Sequence, residues 1–91
     1  MSSNVSEIAN LKNLGPTSER WLNDIGIYTR RELVALGPVS AYQRLKAAGY
    51  NVSLNLVYAI QGAIMDLHWT DLPLALREEL KQQIAEGEEQ G

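Results

Sequence analysis

Residues 53–66 leave almost no polar face. Leu54, Leu56, Val57, Tyr58, Ile60, Ala63, Ile64 and Met65, with Leu67 just beyond, surround a thin stripe of Asn55, Gly62 and Asp66. A helix that is apolar nearly all round has to be covered on most sides. A chain of 91 residues has material for one small domain. The segment is therefore predicted to be the central helix, N-capped by Ser53, with the rest of the chain wrapped around it.

The remainder reads as further helices and short turns, with no strand signal, so the predicted fold class is all-α: a compact bundle of five or six short helices. Residues 5–14 are expected to form a first helix that turns Val5, Ile8 and Leu11 or Leu14 inward. Residues 16–25 form a second, with Trp21, Leu22 and Ile25 on one face and Gly26 as its stop. Thr29 caps a helix over residues 30–36, and Glu32 stands where a capping box places its reciprocal partner. Residues 39–48 follow, packing through Ala41, Tyr42, Leu45 and Ala48 and ending at Gly49. The last helix begins near Pro73, runs to about Ala85 and buries Leu76, Leu80 and Ile84. Trp69 is expected to plug the gap between the central and last helices, with His68 at the helix end. Residues 1–4 and the acidic stretch 87–91 are expected to be disordered, which leaves a single domain over residues 5–86.

Several function classes find no support. The chain has no cysteine and a single histidine, so neither a disulfide framework nor a structural zinc site is expected. Gly15, Gly26, Gly37 and Gly49 are isolated helix terminators and form no phosphate-loop or dinucleotide fingerprint. No pair of carboxylates is placed for acid–base work, so we expect no enzyme, no cofactor, no metal and no small-molecule substrate. No run of about 18 apolar residues exists to span a membrane, and the first ten residues lack the features of a secretory signal. A cytoplasmic protein is expected.

What remains is a repeat. The string Leu-x-x-Leu-Gly-Pro-x-Ser occurs at residues 11–18 and again at 33–40. Each copy reads as a corner in which an apolar pair closes one element, glycine turns the chain and proline opens the next helix. Free amides at such a corner, helped by the helix dipole, can hold a phosphate. The candidate phosphate or DNA-binding set is Lys12, Leu14, Gly15, Thr17, Ser18, Arg20, Arg30 and Arg31. Gly37, Val39, Ser40 and Arg44 make up a second corner. Charge is distributed in keeping with this: residues 11–50 carry +3 and residues 51–91 carry −5, within a net charge of −3. Net acidity argues against binding by bulk electrostatics. The alternative is a module in which both corners are purely structural and the exposed surface meets another protein or a second copy of the chain.

The run Asn13-Leu14-Gly15-Pro16, with Trp21-Leu22, Ile25-Gly26-Ile27 and Thr29-x-x-Glu32-Leu33, resembles the helix-hairpin-helix pattern Gly-hydrophobic-Gly. Asn13 replaces the first glycine, and Thr17 stands where DNA-binding hairpins often carry Lys or Arg. A longer set resembles the C-terminal domain of the TfoX/Sxy family across residues 11–86. It comprises Leu14-Gly-Pro, Ile25-Gly-Ile-x-Thr29, Leu33-x-x-Leu36-Gly37, Ala41-Tyr42-x-x-Leu45, Val52 through Ala59, Gly62-Ala63, Trp69 and Leu72-Pro73. The resemblance implies a helix-hairpin-helix-like, SAM-domain-like bundle without catalytic residues. It also implies bacterial regulators of natural competence for DNA uptake, acting with a transcription activator at competence promoters. Full-length members carry an N-terminal domain of mixed α and β structure with no counterpart in this sequence, so the chain is expected to be a stand-alone version or a fragment.

Overall fold

The computed structural model describes residues 6–90, with side chains through residue 87. Five helices follow in order: α1 (Pro16–Asp24), α2 (Arg30–Leu36), α3 (Pro38–Ala47), α4 (Leu54–Met65) and α5 (Leu74–Gln90). Short 3-10 turns precede α1 (Ile8–Asn10) and α5 (Trp69–Asp71). No strand occurs among the described residues.

The central position of α4 is as expected. It packs against α2, α3, α5 and the second 3-10 turn, and Val57 and Ile60 are fully buried. Two clusters meet on it. Ile60 and Ala63 join Ile8, Leu22, Leu33 and Leu45 on one side. Val57 joins Tyr42, Leu80 and Ile84 on the other. Asn55 and Asp66 of the expected polar stripe are exposed, but Gly62 is buried. Lacking a side chain, it lets other backbone approach instead of facing water. Ser53 precedes α4 in extended conformation without a side-chain cap bond.

Helix ends follow local chemistry. Thr29 and Glu32 form the predicted capping box: the Glu32 N–H donates to Thr29 Oγ1 (3.1 Å), and the Thr29 N–H donates to Glu32 Oε1 (3.1 Å). Schellman-type ends close three helices. After α1 the Ile27 N–H reaches the Leu22 carbonyl (2.9 Å), with Gly26 at φ 90°. After α3 the Tyr50 N–H reaches the Leu45 carbonyl (3.0 Å), with Gly49 at φ 98°. After α4 the Leu67 N–H reaches the Gly62 carbonyl (2.8 Å), and here Asp66 takes the left-handed position at φ 59°. Asp tolerates that region better than most non-glycine residues.

Three expectations need correction. The helix expected over residues 5–14 is only the 3-10 turn Ile8–Asn10, followed by extended Leu11 and by Asn13 at φ 72°. Val5 and the segment 1–4 lie outside the described residues. A ten-residue helix is marginal alone, and here the Glu7 N–H bonds the Tyr28 carbonyl (2.9 Å) while the Asn13 side chain bonds distant backbone. Ala48, expected inside, is exposed, because α3 already ends at Ala47 and the chain turns away through Gly49. Finally, α5 continues past Ala85 and is helical through 87–90, where disorder was expected. Those positions are mostly Glu and Gln, which are good helix formers, and Gly87 costs such a helix only about 1 kcal/mol.

Candidate interaction site

The two copies of the repeat build different corners. In the second copy, residues 33–36 belong to α2, and Gly37 at φ 88°, ψ 158° turns directly into Pro38 of α3. In the first, residues 11–14 are a turn rather than a helix. Gly15 is extended at φ −136°, and the left-handed residue is Asn13, two positions earlier. Its counterpart in the second copy, Ala35, lies within α2.

The sequence reading saw Asn13 only as a departure from a glycine. The structure gives it a task of its own. Its Nδ2 donates to the Leu67 carbonyl (2.8 Å) and to the Ala59 carbonyl (3.4 Å), and its Oδ1 accepts from the Trp69 N–H (3.1 Å). One carboxamide thus ties the first corner to the end of α4 and to the next turn. The approach needs Gly62: a Cβ there would lie 2.6 Å from the Leu67 carbonyl oxygen and would overlap Asn13 Nδ2. The clue in the sequence is asparagine standing where a positive φ is wanted. Beyond Trp69, the indole stacks on Tyr58 at 6.5 Å between centroids. His68 caps the 3-10 turn by accepting from the Thr70 N–H (3.3 Å).

Around the first corner Lys12, Thr17, Arg20, Arg30 and Arg31 are exposed, Gly15 and Ser18 are half-buried and Leu14 is buried. Pro16 has no N–H, and the Glu19 N–H closes on the Gly15 carbonyl (2.9 Å), so Thr17 and Ser18 carry the amides not used by the helix. Glu19 stands in that same first turn, and its Oε2 accepts from the Ala9 N–H (3.1 Å). The Arg30 guanidinium donates to the Ile64 carbonyl near the end of α4, while the Arg30 N–H donates to Glu7 Oε1 (2.7 Å). Arg20 lies near Tyr50, whose hydroxyl donates to the Asp24 carboxylate. That hydrogen bond raises the Tyr50 pKa, with desolvation and the Asp24 charge adding and Arg20 opposing. Of the four cations of the first corner, Arg30 is therefore held by another part of the fold.

At the second corner Gly37, Val39 and Ser40 line an open groove of about 370 Å³, with Leu36, Gln61 and residues of α5 on its other walls. The α5 wall carries Glu79, which accepts from Gln83 Nε2 (3.3 Å). Arg44 is exposed in the last turn of α3, about 9 Å along the axis from Pro38. Sequence reasoning missed this groove, because the pattern marks α5 as amphipathic without saying what its flank faces.

The class defined by this architecture is a small helical domain built around one apolar helix, with corners held by side-chain and backbone bonds. The chain belongs to the TfoX C-terminal domain family, which it matches over residues 4–84. Protein Sxy of Escherichia coli (strain K12) is 32% identical over 73 residues. That alignment takes in 80% of this chain but 35% of the relative, so the chain spans about a third of the length of that protein. The crystal structure of an uncharacterized protein from Listeria monocytogenes superposes with a TM-score of 0.82 at 31% identity, covering 89% of this chain and 92% of the other. No helix among the described residues is long and apolar enough to cross a membrane.

Proposed function

We propose that this chain is a non-enzymatic, cytoplasmic regulatory module that docks onto another protein, one held at DNA, and that its two corners are structural turns. The observation that carries the reading is Glu19. Glu19 belongs to the first turn of α1, the turn whose Thr17 and Ser18 amides a phosphate would need, and its carboxylate is fixed on the Ala9 N–H. A negative charge in that turn already complements the helix dipole and opposes an anionic ligand there. The engagement of Arg30 at α4, and of Glu79 on the wall of the second corner, supports the same reading. Family membership supports a place in competence regulation.

The test is a mobility-shift titration at low salt. The chain alone is expected to leave a promoter duplex unshifted up to high micromolar concentration. It is expected to supershift the same duplex when a transcription activator is already bound. Direct contact with the DNA backbone is the second reading, favoured by the +3 excess over residues 11–50. A salt-sensitive shift by the chain alone would establish it and overturn the first.

A further inference from the structure

His68 stands between the two residues that hold Asn13. The Leu67 carbonyl accepts from Asn13 Nδ2 (2.8 Å), and the Trp69 N–H donates to Asn13 Oδ1 (3.1 Å). The imidazole itself caps the 3-10 turn Trp69–Asp71: its Nδ1 accepts from the Thr70 N–H at 3.3 Å and lies 2.7 Å from Thr70 Oγ1. Accepting requires a bare Nδ1, hence the neutral ring with its proton on Nε2, whereas imidazolium carries a hydrogen on both nitrogens and cannot accept. When the ring takes up a proton, Nδ1–H points at the Thr70 oxygen and the hydroxyl turns its own hydrogen away. The Thr70 N–H is then left facing another donor.

The charged ring also has a second attraction. It lies beside the Trp69 indole at 6.3 Å between centroids, 25° from parallel, and a cation is drawn to an indole face within about 6 Å. His68 and Thr70 are exposed, so protons and water reach the pair. The helix packed on this turn, α4, carries no charged side chain, and its titratable group is Tyr58, whose ring stacks on Trp69. The charges around the junction are the exposed carboxylates Asp66 and Asp71, Lys12 beside Asn13, and the Arg30 guanidinium on the Ile64 carbonyl.

We propose that His68 is a pH-sensitive latch on the junction between α4 and the first corner. Neutral, it caps the turn and keeps the Trp69 N–H where the Asn13 carboxamide reaches it. Protonated, it releases the cap, and the bond from Trp69 to Asn13 weakens with it. Imidazole is the side chain that changes charge close to neutral pH, so the latch sets how firmly the first corner is held as acidity changes. It acts in the same way whether a protein or DNA is the partner of this domain.

The experiment is residue-resolved amide hydrogen exchange by NMR on the full chain, from about pH 7.5 down to about pH 5. Rates are expressed as protection factors, which remove the intrinsic pH dependence of exchange. Protection is expected to fall about threefold or more at Thr70 on acidification, and to fall with it at Trp69, while Ile60 in the core of α4 stays protected. His68→Asn keeps an acceptor at the cap but has no proton to gain, and is expected to hold Thr70 and Trp69 constant over the whole range. His68→Ala, with no acceptor, is expected to show the acid pattern at every pH, its folding checked by circular dichroism. A loss confined to Thr70 would overturn the latch, since the cap would then titrate without reaching Asn13. Unchanged protection at both amides, the same fall in His68→Asn, or a fall shared by Ile60 would each overturn it as well.

Discussion

The carboxamide of Asn13 lies against the Cα of Gly62, so that the first corner of the chain meets the third turn of its central helix through the Asn13 side chain, with none on the helix side. The contact joins residues almost fifty positions apart. It explains two features at once: the positive φ of Asn13, and the burial of a glycine on a helix with only a thin polar stripe.

Gly62→Ala tests that contact. Alanine ordinarily stabilises a helix interior by about 1 kcal/mol over glycine. Here its methyl would meet the Leu67 carbonyl oxygen at 2.6 Å and overlap Asn13 Nδ2, and overpacking of this kind costs about 1–3 kcal/mol. The expected outcome is net destabilisation, read as a lower urea midpoint with an unchanged slope. Asn13→Gly keeps the backbone conformation and removes the side chain. In that background Gly62→Ala should cost measurably less, because one of the two obstructing atoms is gone.

Arg30 was a candidate phosphate ligand, but its guanidinium donates to the Ile64 carbonyl. That carbonyl belongs to the last turn of α4, where a cation satisfies an orphan acceptor and complements the helix dipole. Arg30→Met should lower stability by about 1 kcal/mol in thermal or urea unfolding. Arg31→Met, on an exposed residue of the same helix, should change it by less than about 0.5 kcal/mol.

The capping box makes stability depend on acid. The Tyr28 N–H, at 2.8 Å, is the main cause holding the Glu32 carboxyl below its ordinary range. Partial desolvation opposes it, and the Thr29 N–H and hydroxyl add to it. A depressed folded-state pKa means that the unfolded chain binds the proton first. The contribution is therefore fully present above the unfolded value near pH 4.3 and is lost as pH falls through the folded one. Urea midpoints measured from pH 7 down to pH 3 should fall less steeply for Glu32→Gln than for the parent chain. Tyr50 works at the other end. Its raised pKa gives a contribution intact below about pH 10, which disappears as the folded hydroxyl ionises. Tyr50→Phe should remove that alkaline component.

The elements that sequence reading found are those written in local chemistry. Thr29 and Glu32 announce a capping box, Gly26 and Gly49 announce helix ends, and the apolar run around Ile60 announces a buried centre. What it missed depends on contacts distant in sequence. Nothing near Asn13 shows that its carboxamide bonds the backbone of Leu67 and Trp69, so residues 5–14 read as one helix, whereas of the described ones only Ile8–Asn10 form a 3-10 turn. The candidate site was legible as a pair of corners, but not in its charge. Glu19 stands in the first turn by sequence, but its bond to the Ala9 N–H, and the approach of Glu79 to the second corner, arise only through the fold.

The same eight-residue string, placed in two structural settings, should answer the same substitution with opposite signs. Gly15 is extended at φ −136°, with nothing within 4 Å of an added Cβ, and it precedes α1 without a side-chain cap. Serine suits that position, since its oxygen can accept from the free Thr17 or Ser18 N–H. Gly15→Ser should therefore leave stability unchanged or raise it by a few tenths of a kcal/mol. Gly37 also precedes a helix and also has open space around it, but its backbone stands at φ 88°, ψ 158°. That region is essentially reserved for glycine, and occupying it with a side chain costs about 1–3 kcal/mol. Gly37→Ser should thus lower the melting temperature by at least about 4 °C. Thermal unfolding of the two variants side by side separates the settings. Equal losses in both would mean that the corners share one geometry after all, and that Asn13 is not the left-handed residue of the first.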